Sequence, residues 1–235
     1  MCLILFAVNP DPEFQLVVAA NRDESHARPT ATADYWENHP YLLGGRDLQA
    51  GGTWLGVTQS GRFAAVTNFA ETPPDPIPPR SRGDLTSNFL KGEQGCEAYL
   101  KTVDQHAHEY RGFNLVISDG NGVYYYSNRN QKILQLQPGY YGLSNQLLDC
   151  NWPKVNTARV DLQKTETRHF QSEELFALLA ERGTDEPHSA RFILGAEYGT
   201  CASTVVKLGA QGFYFEERRF NPDGEQKSAS VFIHG

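Results

Sequence analysis

The chain has 235 residues, 40% of them hydrophobic and 21% charged, with a formal net charge of −7. That length can bury a core without disulfide staples, and that apolar share excludes a disordered chain. The 28 acidic against 21 basic residues, with no Lys/Arg run, argue against a nucleic-acid partner, and no stretch nears the roughly 18 consecutive apolar residues of a membrane span.

In chain order, Leu3–Val8 and Phe14–Ala20 read as strands of a hairpin closed by the Pro-rich turn Asn9–Glu13. The first apolar run starts at once, lacks Lys or Arg and ends at Asn9-Pro10-Asp11-Pro12, so it predicts a strand and not a secretory signal. The expected location is therefore cytoplasmic, with Cys2, Cys96, Cys150 and Cys201 reduced. Their wide spacing offers no C-x-x-C pair, and a metal site is not expected. The glycine-rich stretch from Leu43 to Trp54 reads as a tight loop, and it lacks the G-K-[ST] ending of a phosphate loop. A second hairpin pairs Thr53–Thr58 with Arg62–Asn68 around Gln59-Ser60-Gly61.

Between Glu71 and Arg80, five prolines exclude a helix or a central strand, and this long loop is expected to border a ligand cleft, with an exposed connector to a helix near Asp84 as the alternative. Cys96, Tyr99, Leu100, Val103, Ala107 and Tyr110 recur at helical spacing and predict a helix over 93–110. Strands follow at Phe113–Ile117, Val123–Ser127, Ile133–Leu136 and Tyr140–Asn145. A second helix is expected over Ser172–Ala180, with Ser172 as N-cap and Gly183 as terminator. Ser203–Leu208, Gly212–Arg219 and Ala229–Ile233 complete the strands. So many hairpins predict antiparallel sheets with helices laid on their faces, in a single α+β domain over 1–235.

Three features can carry chemistry. Cys2 follows the initiator Met, whose removal before a small residue would leave a cysteine with both a thiol and a free α-amine. That amine can act as the base for its own side chain, as in N-terminal nucleophiles; a buried, inert strand cysteine is the alternative. Asn21-Arg22-Asp23-Glu24 directly follows the second strand. It reads either as an exposed turn or, because the hairpin returns to the level of Cys2, as a group that orients an amine there. Asn68 and Asn145 close strands, where an Asn amide can donate to an oxyanion or simply bond its own turn. Tyr35, Trp36, Trp54, Tyr140, Tyr141 and Trp152 can line a groove or pack as core and rim.

The ordered motifs Met1-Cys2-Leu3-Ile4, Ala20-Asn21-Arg22-Asp23-Glu24, Gly45-Arg46-Asp47, Gly51-Gly52-Thr53-Trp54-Leu55-Gly56-Val57, Thr67-Asn68, Ser81-Arg82-Gly83, Tyr141-Gly142-Leu143-Ser144-Asn145 and Trp152-Pro153-Lys154-Val155 resemble the NRDE family, also called the transport and Golgi organisation 2 family. That family is similar to cysteine N-terminal nucleophile hydrolases, which include penicillin V acylase, bile salt hydrolase and acid ceramidase. The resemblance implies a four-layer αββα sandwich of two antiparallel sheets. It also implies a catalytic set of Cys2, Asp23, Asn68 and Asn145, with substrate contacts from Asn21, Arg22, Glu24 and Trp54. Those hydrolases usually show Arg-x-x-Asp, which would put Arg at position 20, where this chain has Ala20. The implied activity is hydrolysis of a small-molecule linear amide without a cofactor. The other reading is a binding or trafficking protein on the same scaffold, with a hydrophobic cargo such as haem or lipid.

Overall fold

A computed structural model of the chain describes residues 2–71, 73 and 80–235. Among these the order is β1 (Leu3–Val8), β2 (Phe14–Ser25), β3 (Thr30–Trp36), β4 (His39–Asp47), β5 (Leu55–Thr58), β6 (Phe63–Asn68), α1 (Gly83–Lys91), α2 (Cys96–Gln105), β7 (Phe113–Ser118), β8 (Val123–Ser127), β9 (Leu134–Leu136), β10 (Gly139–Leu143), α3 (Pro153–Thr165), α4 (Ser172–Leu179), β11 (Tyr198–Gly209), β12 (Gly212–Phe220) and β13 (Gln226–His234). They build two antiparallel sheets, β10-β1-β2-β11-β12-β13 and β3-β4-β5-β6-β7-β8-β9. Two compact units contain them, one made of Met1–Arg28, Pro138–Ser144 and Leu148–Gly235, the other of Pro29–Gln137 and Asn145–Leu147. The α+β class and the antiparallel sheets are as expected from the hairpin-rich sequence.

In the first unit, α3 and α4 lie on one face of the six-stranded sheet. Leu3, Leu5, Ala7, Val17, Ala19 and Val205 meet Val155, Ala158, Leu162, Leu175 and Leu179 there. Every residue of β1 is buried, on both faces of the strand, which is why the sequence shows an unbroken apolar run and no alternation. The helix α3 starts with Pro at its first turn, where the missing donor costs nothing. Its axis can be placed from two contacts. Val155 sits against Gly142, which pairs with Leu5 of β1. At its other end the Tyr140 hydroxyl donates to Glu166, and Tyr140 pairs with Ala7. The amino end of α3 therefore faces the start of β1.

In the second unit, α1 and α2 cover one face of the seven-stranded sheet, where Leu42, Ala64, Leu115 and Ile117 meet Leu85, Phe89, Leu90, Tyr99 and Leu100. The two ends of the proline-rich stretch are tied down. Arg129 pairs with Glu71, and Arg80 lies 2.6 Å from Glu109. The remainder of that stretch, residues 72 and 74–79, lies outside the described residues, and with it the expected cleft wall. No helix among the described residues is long and apolar enough to cross a membrane.

Several boundaries differ from expectation. The helix expected over 93–110 stops at Gln105 and gives way to a 3-10 turn at Ala107–Glu109. Ser172 lies inside α4, whose N-cap is Gln171, and the helix closes at Ala180, before Gly183. Leu43–Asp47 of the glycine-rich stretch belongs to β4, and its glycines serve close packing. A Cβ on Gly44 would meet the Leu55 carbonyl at 2.7 Å, and one on Gly45 would run into the Trp54 ring. The largest difference concerns β2, which runs on through Asn21-Arg22-Asp23-Glu24 to Ser25.

The approach of α3 depends on Gly142 having no side chain, since a Cβ there would lie 2.8 Å from Val155 Cγ1 and 3.3 Å from its carbonyl oxygen. Gly142→Ala is expected to overpack this contact and cost about 1–3 kcal/mol. Chemical denaturation of the variant against the wild type measures it.

Candidate active site

Strand β2 delivers the polar run to the start of β1. Leu3 pairs with Asn21, and on the other side Ser203, Ala202 and Thr200 of β11 pair with Asn21, Arg22 and Asp23. Cys201 is the extra residue of a β-bulge between Thr200 and Ala202. Asn21, Arg22 and Asp23 are all buried, so the exposed-turn reading of this motif is overturned. Buried polar groups need partners, and the bulged strand supplies them.

Side chains alternate along β2, which separates the motif into two sets. Asn21 and Asp23 share the face that carries α3 and α4, and Arg22 and Glu24 take the opposite one. Asn21 is fully engaged: its amide donates to the carbonyls of Leu179 (3.0 Å) and Arg191 (2.8 Å), and its oxygen accepts from the Ser203 hydroxyl (2.6 Å). One amide hydrogen ties the end of α4 to the sheet and the other holds the Arg191 carbonyl. Arg22 lies 3.8 Å from the Glu24 carboxylate on its own face.

Asp23 gathers the remaining groups. Its carboxylate accepts from Thr200 Oγ1 at 2.7 Å, and Thr200 in turn accepts from the Ile193 amide at 2.9 Å. The Asp23 carbonyl accepts from the Tyr198 hydroxyl at 3.0 Å and lies 3.7 Å from Cys2 Sγ. The Ser144 hydroxyl holds the Cys2 carbonyl at 2.7 Å. Burial pushes the Cys2 thiol up, and the Asp23 carboxylate pushes it further. Burial also raises Asp23 above the ordinary carboxylate range. The thiol therefore rests protonated and needs a base to become a nucleophile.

One residue of this cluster carries no signal as an isolated sequence position. Lys154, at the first turn of α3, is fully buried. Burial lowers its ammonium, while Asp23, Cys2 and Cys150 act to raise it. Its motif, Trp152-Pro153-Lys154-Val155, is visible in the sequence. A helix begun at Pro153 with Val155, Ala158 and Leu162 as its buried stripe would have put Lys154 beside the core. Thr200 was equally silent, because only the bulge aims it at Asp23.

The other candidate residues belong to the second unit. Asn145 is buried, donates its amide to the Asn68 carbonyl at 2.9 Å, and accepts from the Ala70 amide through its own carbonyl at 2.7 Å. Asn68 closes β6 with an exposed side chain. Beside them, buried Asn114 donates to Thr67 Oγ1 and the Gln146 carbonyl and accepts from Tyr125. Trp54 packs over Gly45 against the apolar cluster beneath α1 and α2. All four cysteines are free thiols, and among the described residues no group of three or more His, Cys, Asp or Glu side chains could hold a metal ion.

Removing the Asn21 amide would orphan two carbonyls and a hydroxyl in the interior. Asn21→Ala is expected to lose on the order of 2–4 kcal/mol of stability. Thermal or denaturant unfolding reads this loss. A variant as stable as the wild type would remove Asn21 from the tie between α4 and the sheet.

The family model for Transport and Golgi organisation 2 matches residues 1–222. A mouse Transport and Golgi organization 2 homolog is 41% identical over 168 residues, covering 66% of this chain and 60% of its own length. The homolog from Bos taurus is 34% identical over 256 aligned positions, covering 93% of this chain and 92% of its own. The chain thus spans about 60% of the length of the mouse relative and, likewise, of the human one. Among solved structures, a conjugated bile acid hydrolase from Clostridium perfringens in mutant form matches with a TM-score of 0.50 at 10% identity, covering 99% of this chain and 92% of that one. At that identity the likeness is one of fold, the N-terminal nucleophile hydrolase fold. By family model and by sequence, the chain belongs to the Transport and Golgi organisation 2 family.

Proposed function

We propose that the chain is a cysteine amidohydrolase that cleaves a linear amide, with Cys2 as its nucleophile after removal of Met1. The observation that carries this reading is the seating of Cys2 against Asp23. A thiol at the amino end of a doubly buried strand lies 3.7 Å from the carbonyl of an acid whose carboxylate is itself fixed by Thr200. The fold neighbour, by its name a bile acid hydrolase, is in keeping with such chemistry.

In this reading the α-amine of Cys2 takes the thiol proton, and the thiolate attacks the amide carbonyl carbon. The tetrahedral oxyanion is met by amide donors, the part the resemblance gives to Asn68 and Asn145. The C–N bond breaks as the leaving amine receives the proton from the α-ammonium. Water, deprotonated by the same amine, then hydrolyses the thioester and releases the acid. Asp23 holds the ammonium while it exists, and its buried setting makes that attraction strong. Arg22 and Glu24 lie on the opposite face of β2 from Asp23, so in this reading they contact substrate without handling the proton.

Mass spectrometry of the purified chain, before and after an electrophilic amide probe, tests the proposal. The expected result is a mature N-terminus beginning at Cys2 and a single adduct on that residue, absent from Cys2→Ala. That variant should stay folded, losing on the order of 1 kcal/mol. Retained Met1, or adducts confined to Cys96, Cys150 or Cys201, would overturn it. Tight binding of haem or lipid by a chain that forms no adduct would favour the carrier reading instead.

A further inference from the structure

Lys154 is the one buried lysine among the described residues. A lysine that gives up all contact with water is rare unless an opposite charge compensates it. Its position follows from the packing of α3. Val155 packs against Gly142, which pairs with Leu5, and Glu166 is reached by the hydroxyl of Tyr140, which pairs with Ala7, so the helix points its amino end toward the residues that precede Leu5. Helical side chains lean toward the amino end of their helix, which carries the Lys154 stem further toward Leu3 and Cys2.

That end of the sheet face is where Asp23 stands. Leu3 pairs with Asn21, Asn21 faces the helices, and Asp23 is two residues further along the same face. Two contacts hold the local frame. The Lys154 amide donates to the His188 carbonyl at 3.0 Å, and the His188 ring stacks on Trp152 at 4.1 Å between centroids and 5° between planes. The Lys154 ammonium lies 5.8 Å from that Trp152 ring. The ionisable groups around it come from each neighbouring element. They are Asp23 of β2, Cys2 ahead of β1 and Cys150 ahead of α3. Tyr198 of β11 donates to the Asp23 backbone carbonyl, and Arg22 acts on the Cys2 thiol in the opposite sense to Asp23.

We propose that Lys154 is the positioning residue of the Cys2 centre, its buried ammonium compensating the Asp23 carboxylate so that Cys2 is presented with a balanced field. This rests on Cys2 being the nucleophile. Asp23 acts in opposite senses on the two groups of that residue. It favours the α-ammonium and disfavours the thiolate, and both effects leave the centre protonated and slow near neutrality. A fixed cation beside Asp23 opposes both. It lets the amine shed its proton and lets the thiol release one, without itself touching substrate.

The test is the pH dependence of Cys2 alkylation by iodoacetamide, followed by peptide mass spectrometry, in the wild type and in Lys154→Met, Asp23→Asn and the double variant. The expected result for Lys154→Met is an alkaline displacement of the profile by about one pH unit, roughly tenfold slower labelling at pH 7. Asp23→Asn is expected to move the profile the other way, and the double variant to return close to the wild type. A merely structural lysine would lower stability and leave the profile in place.

If Lys154→Met fails to fold, the double variant, which buries no net charge, and Asp23→Asn still decide the matter. A double-variant profile displaced as far as that of Asp23→Asn alone would overturn the proposal, as would an unmoved profile in Asp23→Asn. Absence of Cys2 labelling in the wild type overturns the nucleophile reading itself. Normal wild-type labelling with an unmoved Lys154→Met profile overturns only the role of Lys154.

Discussion

The first unit depends on β2 remaining a strand through four consecutive polar residues. Asn21-Arg22-Asp23-Glu24 would ordinarily leave a sheet for water, because a buried polar side chain without a partner costs more than its backbone pairing returns. It stays because β11 is built to meet it. Ser203 takes the Asn21 oxygen, Thr200 takes the Asp23 carboxylate, and the bulge at Cys201 shifts the register between them so that both hydroxyls arrive on the right face. Without that shift, the strict period of two would send either Ser203 or Thr200 to the wrong side. The same continuation carries Asp23 past Leu3, to the level of the residues ahead of β1.

Alternation along this strand then sorts structure from chemistry. Asn21 spends both amide hydrogens on the end of α4 and on the Arg191 carbonyl. Arg191 extends that tie to α3 through Thr157 and Asp161. Asp23, on the same face one step further along, is acted on electrostatically by Lys154 at the amino end of α3. One residue of the motif therefore fixes where the helices lie, and the next one on that face uses the helix so placed. Gly142 sets how near α3 comes, since Val155 occupies the space a side chain would need.

The strands were legible wherever burial is one-sided or complete. Leu3–Val8 was exact, and most later strands were right within a few residues, because their apolar spacing is the direct imprint of the face they bury. Three kinds of feature were not legible. The extension of β2 is invisible in its own residues, since its partners lie more than 170 positions away in β11. The helix α3 is masked by Asn156, Thr157, Asp161 and Gln163, and its buried face is a thin stripe of Val155, Ala158 and Leu162. The strand β4 is short on apolar residues because glycines at 44 and 45 pack backbone and ring in place of side chains, and β3 is mostly small and polar. Of the candidate site, Cys2 and Asp23 were readable as types, and the resemblance supplied their roles. Lys154 was readable only as a letter in a motif, because a lysine's default is a solvated surface.

The burial of Lys154 is best understood from the cost of burying Asp23. A carboxylate removed from water keeps its charge only where donors and cations replace the lost hydration, and here the hydroxyl of Thr200 supplies one donor. Beyond that donor the Lys154 ammonium also acts on Asp23, and a cation in a low-dielectric setting interacts many times more strongly than it would at the surface. The reverse holds for the lysine, whose own burial disfavours its charge until an anion faces it. Each residue thus makes the other's position tenable, and neither is explained by packing, since an apolar pair of equal volume would fill the same space without either penalty. What an apolar pair could not do is set the electrostatic potential at Cys2. On the reading proposed for Cys2, these two charges set the potential at the thiol, which is a task no apolar pair could take over.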